Sequence, residues 1–209
     1  MFEKKGKSDI LCVTNRKLCR EDFFTRIWKL GAAQPAGIIL REKDLTEKDY
    51  GILAEKVLEI CEKQGIPCIL HSFWKTAMRL GCPKVHLPLP VLRTLSDRER
   101  DSFHVLGASC HCVEDAVLAQ KLGCTYITAG HVFETDCKKG VPGRGLAFLE
   151  QVCSSVSIPV YAIGGITSGN IRAVRKTGAR GACVMSSLMT CGDPEKYLKA
   201  FKESKNEIQ

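Results

Sequence analysis

No apolar run in this 209-residue chain approaches the roughly 20 residues that a membrane-spanning helix needs. No block of five or six basic residues occurs either, although Lys and Arg outnumber Asp and Glu by 31 to 23, for a net charge of +8. The cations are scattered among acids, without a basic stripe or a helix-turn-helix pattern. That argues against a nucleic-acid partner and leaves a biased, solvated surface or a small anionic ligand such as a phosphate ester. The opening MFEKKGKSDI lacks the apolar segment of a secretory signal, and Cys-x-x-Cys is absent. The twelve cysteines are therefore expected as reduced thiols of a cytoplasmic protein. Several of them (Cys12, Cys68, Cys124, Cys153, Cys183) sit in apolar stretches as small hydrophobes. Cys110-His111-Cys112 is a weak metal pattern: adjacent strand residues face opposite ways, and no second ligand pair lies at zinc-finger spacing. Aromatics are few, at 7%, and the repeats of collagen and coiled coils are missing. A hydrophobic content of 44% excludes a chain disordered throughout.

What is present is an alternation. Eight short apolar runs read as strands: Ile10–Thr14, Gly37–Leu40, Pro67–Leu70, Lys84–Leu87, Val105–Ala108, Tyr126–Ala129, Val160–Ile163 and Ala182–Met185. They are nearly continuous in apolar residues, as strands buried on both faces should be. Amphipathic stretches lie between them, at Glu21–Leu30, Glu47–Gln64, Trp74–Leu80, Asp115–Leu122, Leu146–Val156, Asn170–Thr177 and Pro194–Ser204, while Pro90–Ser102 reads as one short helix. Gly65, Gly81, Gly123 and Gly178 follow four of these, where a helix ends in the left-handed region. Helix then strand, repeated, implies parallel strands with crossover helices. Eight such units without a linker predict a single α/β domain, residues 1–209, folded as a (β/α)8 TIM barrel. An open doubly wound sheet is the competitor, but no Gly-x-Gly-x-x-Gly follows the first strand. The polar tail Glu203–Gln209 is expected to fray.

Functional groups of such a barrel gather where its strands end. The predicted ends carry Asn15, Arg41 with Lys43, His71, His86, Ser109, His131, Gly164-Gly165 and Ser186-Ser187. The small residues at the last two, Ile163–Thr167 and Val184–Ser187, suit a phosphate held by backbone N–H groups and a helix N-terminus, with two ordinary tight turns as the alternative. Arg41 offers a planar fork and Lys43 a point charge, unless Glu42 between them pairs locally. A long loop, Gly130 to Gly140, follows the sixth strand, with His131 at its base and Lys138 and Lys139 further on. Loops of this length in compact domains are usually functional, and a neutral imidazole suits a proton shuttle. His111 reads as the start of a helix. His104, ahead of the fifth strand, reads as structural.

These segments resemble the thiamine phosphate synthase superfamily, in particular its thiazole tautomerase branch. The resemblance is carried by Ile38–Lys43, Val85-His86-Leu87, Leu106–His111, the loop Gly130–Gly140, Ile163–Ile166 and Val184-Met185-Ser186, in the superfamily's order and over nearly the whole chain. It implies a (β/α)8 barrel. Synthases of the superfamily join a pyrimidine pyrophosphate to a thiazole phosphate and hold Mg²⁺ with carboxylates, from Asn-Asp after strand three and an acidic residue beyond His-Leu-Gly after strand four. Here those places read His71-Ser72 and His86-Leu87-Pro88-Leu89-Pro90-Val91. Gly130–Thr135 looks like the tautomerase loop, where synthases usually carry proline in place of His131. The resemblance therefore implies a metal-independent isomerase of thiamine biosynthesis, without a cofactor. It would turn a dearomatised carboxythiazole phosphate into its aromatic isomer, with His131 as base and then acid. Arg41 or Lys43 would hold the carboxylate. The backbone at Gly165, Met185 and Ser186 would hold the phosphate, with Ser109 and Thr135 as hydroxyl donors and Lys138 nearby. His71 is a second candidate acid and His86 a barrel support. The implied partner is a small-molecule thiazole phosphate, with neither nucleic acid nor membrane, and a homodimer is left open. A synthase with displaced metal ligands and a non-catalytic, thiazole-phosphate-binding regulator remain as alternatives.

Overall fold

Each apolar run becomes a strand. The computed structural model describes residues 8–206. Its strands are β1 (Ile10–Val13), β2 (Gly37–Leu40), β3 (Cys68–His71), β4 (Lys84–Pro88), β5 (Val105–Cys110), β6 (Tyr126–Gly130), β7 (Val160–Ile163) and β8 (Gly181–Val184). Neighbours in sequence pair in parallel, and β1 pairs with β8, so the sheet closes into the barrel that the alternation predicts. The apolar runs are continuous because both faces are covered. Leu11, Val13, Ile39, Ile69, Tyr126, Tyr161 and Cys183 fill the barrel interior. The alternate residues, such as Ile10, Cys12, Ile38 and Leu40, pack outward among the buried helix residues. Gly107 on β5 is part of that inner packing: a Cβ there would collide with the Tyr126 ring and with His86.

The helices are α1 (Phe23–Ala32), α2 (Glu47–Lys63), α3 (Trp74–Arg79), α4 (Leu89–Leu92), α5 (Asp97–Asp101), α6 (Val113–Lys121), α7 (Gly145–Ser155), α8 (Ile171–Lys176), α9 (Ser186–Thr190) and α10 (Pro194–Asn206). None of the described helices is long and apolar enough to cross a membrane. The four helix-ending glycines all have positive φ. At the end of α2, Gly65 N–H donates to Glu62 and Ile66 N–H to Cys61, crossed bonds that need the left-handed turn at Gly65.

Three expectations are corrected. The segment Pro90–Ser102 forms two helices, because Ser96 and Glu99 build a reciprocal capping box that starts α5 afresh. The last strand stops at Val184, and α9 begins two residues later. The tail does not fray from Glu203: α10 continues to Asn206, anchored by the buried Leu198 and Phe201. Residues 207–209 of that tail, and residues 1–7 of the opening in which no signal was read, lie outside the described residues. Near the start of β1, Asp9 pairs with Arg175 of α8, whose guanidinium also donates to the Phe201 carbonyl, tying α8 and α10 to that end of the barrel.

Candidate active site

Parallel strands place all their C-terminal ends on one side, and there they enclose a cavity of about 600 Å³. Arg41, Lys43, Ser109, His131, Thr135, Lys138, Gly165, Met185 and Ser186 all line it, as do His71, Gly164 and Ser187. His86 is not among the lining residues; it lies buried in the barrel. Sequence reasoning missed Arg93, His111, Asp115 and Thr128, which also reach the cavity; Thr167, the last residue of the segment suited to a phosphate, reaches it too.

The cations come from the chain just past β2. Glu42 does not pair with its neighbours. Its carboxylate accepts from the Thr14 hydroxyl at 2.7 Å, from the Arg16 N–H, and from the Arg16 guanidinium at 3.2 Å. It is buried on the side away from the cavity. Alternation along the extended chain then sends Arg41 and Lys43 into the opening. Neither is ion-paired to a described residue. Partial burial, with Arg41 and Lys138 close by, holds the Lys43 ammonium below its ordinary pKa. Arg93, at the end of α4, adds a fourth cation. Unpaired positive charges facing one space make a site for an anion.

His131, at the base of the loop after β6, is buried: it is 5% exposed. Its Nε2 lies 3.1 Å from the Val141 carbonyl, and a carbonyl only accepts, so Nε2 carries the hydrogen. In the neutral ring Nδ1 is then the acceptor, and it is buried without a partner. The base of the loop is fixed by Val132 N–H to Ile163 O and Arg144 N–H to His131 O. Glycine is required opposite. Gly164 has φ +100, and a Cβ there would strike His131; Gly165 has φ +65, and a Cβ there would strike the Glu134 carbonyl and Phe133. The sequence suggests that these glycines leave room for a phosphate. On their Cβ side the room is taken by the loop that carries His131. The Gly164 and Gly165 N–H groups bond to no described residue, and Ser186 and Ser187 begin α9, whose first N–H groups have no partner within the helix. Main-chain donors therefore stand at both strand ends.

The other imidazoles divide into two roles. His86 Nε2 meets Ser109 Oγ at 2.9 Å and Nδ1 meets the Tyr126 hydroxyl at 2.9 Å, so its ring fixes the serine that lines the cavity. His71 Nδ1 meets Ser72 Oγ at 2.7 Å, and its ring stacks on that of His86 at 5.6 Å. The sequence places His111 at the start of a helix. Instead β5 runs on to Cys110, and His111 stands at the strand end, two residues before α6. Its Nδ1 lies 3.0 Å from the Gly130 carbonyl. His104 is exposed ahead of β5, away from the cavity.

Burial lowers the pKa of His86 from the ordinary 6.5 to about 3. Burial, followed by the charges of His86, Arg41 and Lys43, holds His71 well below 6.5. Both rings are neutral at pH 7. On acidification the unfolded chain takes up protons first, so stability is full above pH 6.5 and declines as the pH falls towards the folded values, by up to about 1.4 kcal/mol per pH unit for each ring. Melting temperatures are accordingly expected to drop steadily from pH 7 to pH 4.5. A flat profile across that window would show that these rings are not buried in the neutral form.

Comparison with known proteins adds to this geometry. Residues 10–188 match the family model for thiamine monophosphate synthase. A thiamine-phosphate synthase of Desulfitobacterium hafniense is 33% identical over 189 residues, covering 87% of this chain and 89% of its own. Thiamine-phosphate synthase 2 of Streptococcus pneumoniae is 32% identical, covering 94% of both chains. A solved thiamine phosphate pyrophosphorylase from Pyrococcus furiosus superposes with a TM-score of 0.80 at 25% identity, covering 95% of both chains. On the strength of its sequence and of the barrel that sequence builds, the chain belongs to the thiamine monophosphate synthase family.

Proposed function

We propose that this family member is an isomerase of thiamine biosynthesis, a metal-independent thiazole tautomerase that converts a dearomatised carboxythiazole phosphate into the aromatic carboxythiazole phosphate. The observation that carries the reading is His131: a buried imidazole beside the cavity with one nitrogen committed to Val141 and the other an unpartnered acceptor. Such a nitrogen can take a proton from carbon. Arg41 and Lys43 hold the substrate carboxylate and stabilise negative charge as the carbanion forms. The main chain at Gly165, Met185 and Ser186 holds the phosphate, with Ser109 and Thr135 as hydroxyl donors and Lys138 close to the anion. Aromatisation drives the reaction, so the protein has to supply orientation and proton transfer.

The synthases' Mg²⁺ does not fit this wall. Mg²⁺ takes oxygen ligands and binds through carboxylates with substrate phosphates. Among the described residues, Asp115 is the one that lines the cavity with a carboxylate, and its Oδ2 already accepts the His111 N–H at 2.8 Å. Arg41, Lys43, Arg93 and Lys138 face the same space with positive charge. Among the described residues, no group of three or more His, Cys, Asp or Glu could hold a metal ion, the Cys110-His111-Cys112 triplet included. The eleven described cysteines are free, which suits the cytoplasmic setting of this reading.

A second reading is a thiamine phosphate synthase, and the names of the relatives favour it. Incubation with the product of a thiazole synthase separates the two. The expected result is formation of the aromatic thiazole at the same rate with and without chelator. Loss of turnover in chelator with recovery in Mg²⁺, or robust condensation of the pyrimidine pyrophosphate with thiazole phosphate, would establish the synthase reading instead.

A further inference from the structure

We propose that His111 is the second proton-transfer group of the cavity, delivering a proton to the exocyclic carbon after His131 has removed the one on the ring. The inference rests on the tautomerase reading above. His111 is exposed and lines the same cavity as His131. Its Nδ1 lies 3.0 Å from the Gly130 carbonyl, which only accepts, so Nδ1 carries a hydrogen and Nε2 is the nitrogen left to exchange one. That Nε2 makes no hydrogen bond to a described residue. His131 has the opposite arrangement, with Nε2–H given to Val141 and Nδ1 free.

The two rings are also tied together. His111 bonds the carbonyl of the residue immediately before His131, and its own N–H is fixed by Asp115 at 2.8 Å. One ring is buried and the other exposed. The buried ring shelters a proton taken from carbon, and the exposed ring reloads from water. The step balances without an oxidant or a co-reactant. The ring C–H bond breaks, and its proton goes to His131 Nδ1. The electron pair shifts through the exocyclic double bond. The exocyclic carbon forms a new C–H bond with the proton from Nε2 of a His111 imidazolium. His131 then returns its proton to solvent, from which His111 is recharged.

Two variants separate proton transfer from positioning. His111→Asn puts an amide N–H near the place of Nδ1–H, preserving the bond to Gly130 without a titrating nitrogen; His111→Ala removes both. Each is expected to lower kcat by about 10²-fold with KM little changed. Wild-type enzyme given substrate deuterated at the ring carbon, in ordinary water, is expected to yield product without deuterium on the exocyclic carbon. Near wild-type turnover by His111→Asn would overturn the proposal, with a slow His111→Ala beside it assigning His111 a positioning role. Deuterium carried to the exocyclic carbon by the wild type would overturn it too, since one group would then be moving the same proton. A wild type that forms no aromatic thiazole overturns the tautomerase reading and this inference together. An active wild type with an active His111→Asn overturns the inference alone.

Discussion

Replacing His131 with glutamine lowers kcat by about 10²-fold or more and leaves KM close to the wild-type value. The choice of glutamine follows from the geometry. Nε2 of His131 holds the Val141 carbonyl at 3.1 Å, so the residue also anchors the loop between β6 and α7. The ring is 5% exposed, and truncation to alanine would free the loop and leave a gap beside Gly164. A glutamine amide N–H reaches about as far as Nε2–H and keeps the anchor, but it has no nitrogen that accepts a proton at neutral pH. His131→Asn is the complementary variant, shorter and unable to hold Val141. If proton transfer is the function, both variants are slow. If anchoring is the function, glutamine recovers most of the activity and asparagine does not. Near wild-type kcat in His131→Gln, measured as aromatic thiazole formed under saturating substrate, would exclude His131 as the base. An inactive His71→Asn in the same assay would transfer that assignment to His71.

Arg41→Ala is expected to reduce kcat/KM by about 10²-fold, because truncating one partner of a desolvated charge pair costs about 2–5 kcal/mol. Its guanidinium meets no described carboxylate, while Glu42 beside it is fully engaged by Thr14 and Arg16. A charge left unpaired near Lys43 and Lys138 is a cost in the free protein. Arg41→Ala should therefore lose activity while its melting temperature holds or rises. Arg41→Lys, which keeps the charge and loses the two-pronged fork, should fall between. Glu42→Gln should do the reverse, lowering the melting temperature, since it breaks the ties that orient the segment. An unchanged kcat/KM in Arg41→Ala would place the substrate anion elsewhere in the cavity.

The barrel was legible because its strands are buried on both faces, and burial of that kind leaves continuous apolar runs in the chain. Helix endings at Gly65, Gly81, Gly123 and Gly178 were legible for an equally local reason: φ there is positive, which glycine adopts freely. Strand ends were harder. The apolar run marks Val105–Ala108 as the whole fifth strand, yet pairing of Ser109 with Thr128 and of Cys110 with Ala129 carries β5 two residues further. Those two residues turn His111 from a helix start into a wall of the cavity. No local signal marks them, since the extension comes from a partner strand.

The closed alternation of strands and helices, the set of cations, imidazoles and small residues at one mouth, and the want of carboxylates after strands three and four are all written in the chain. All of these follow from residue type and spacing, which local chemistry reads directly. Which way each side chain turns is set by the packing of the folded barrel. It sends Glu42 to Thr14 and Arg16 and so leaves Arg41 free; it buries His131 and ties it to Val141; and it fills the space beside Gly164 and Gly165 with the loop from β6. Each of these contacts joins residues distant in sequence or set by the path of a loop, so its geometry exists only once the barrel has closed.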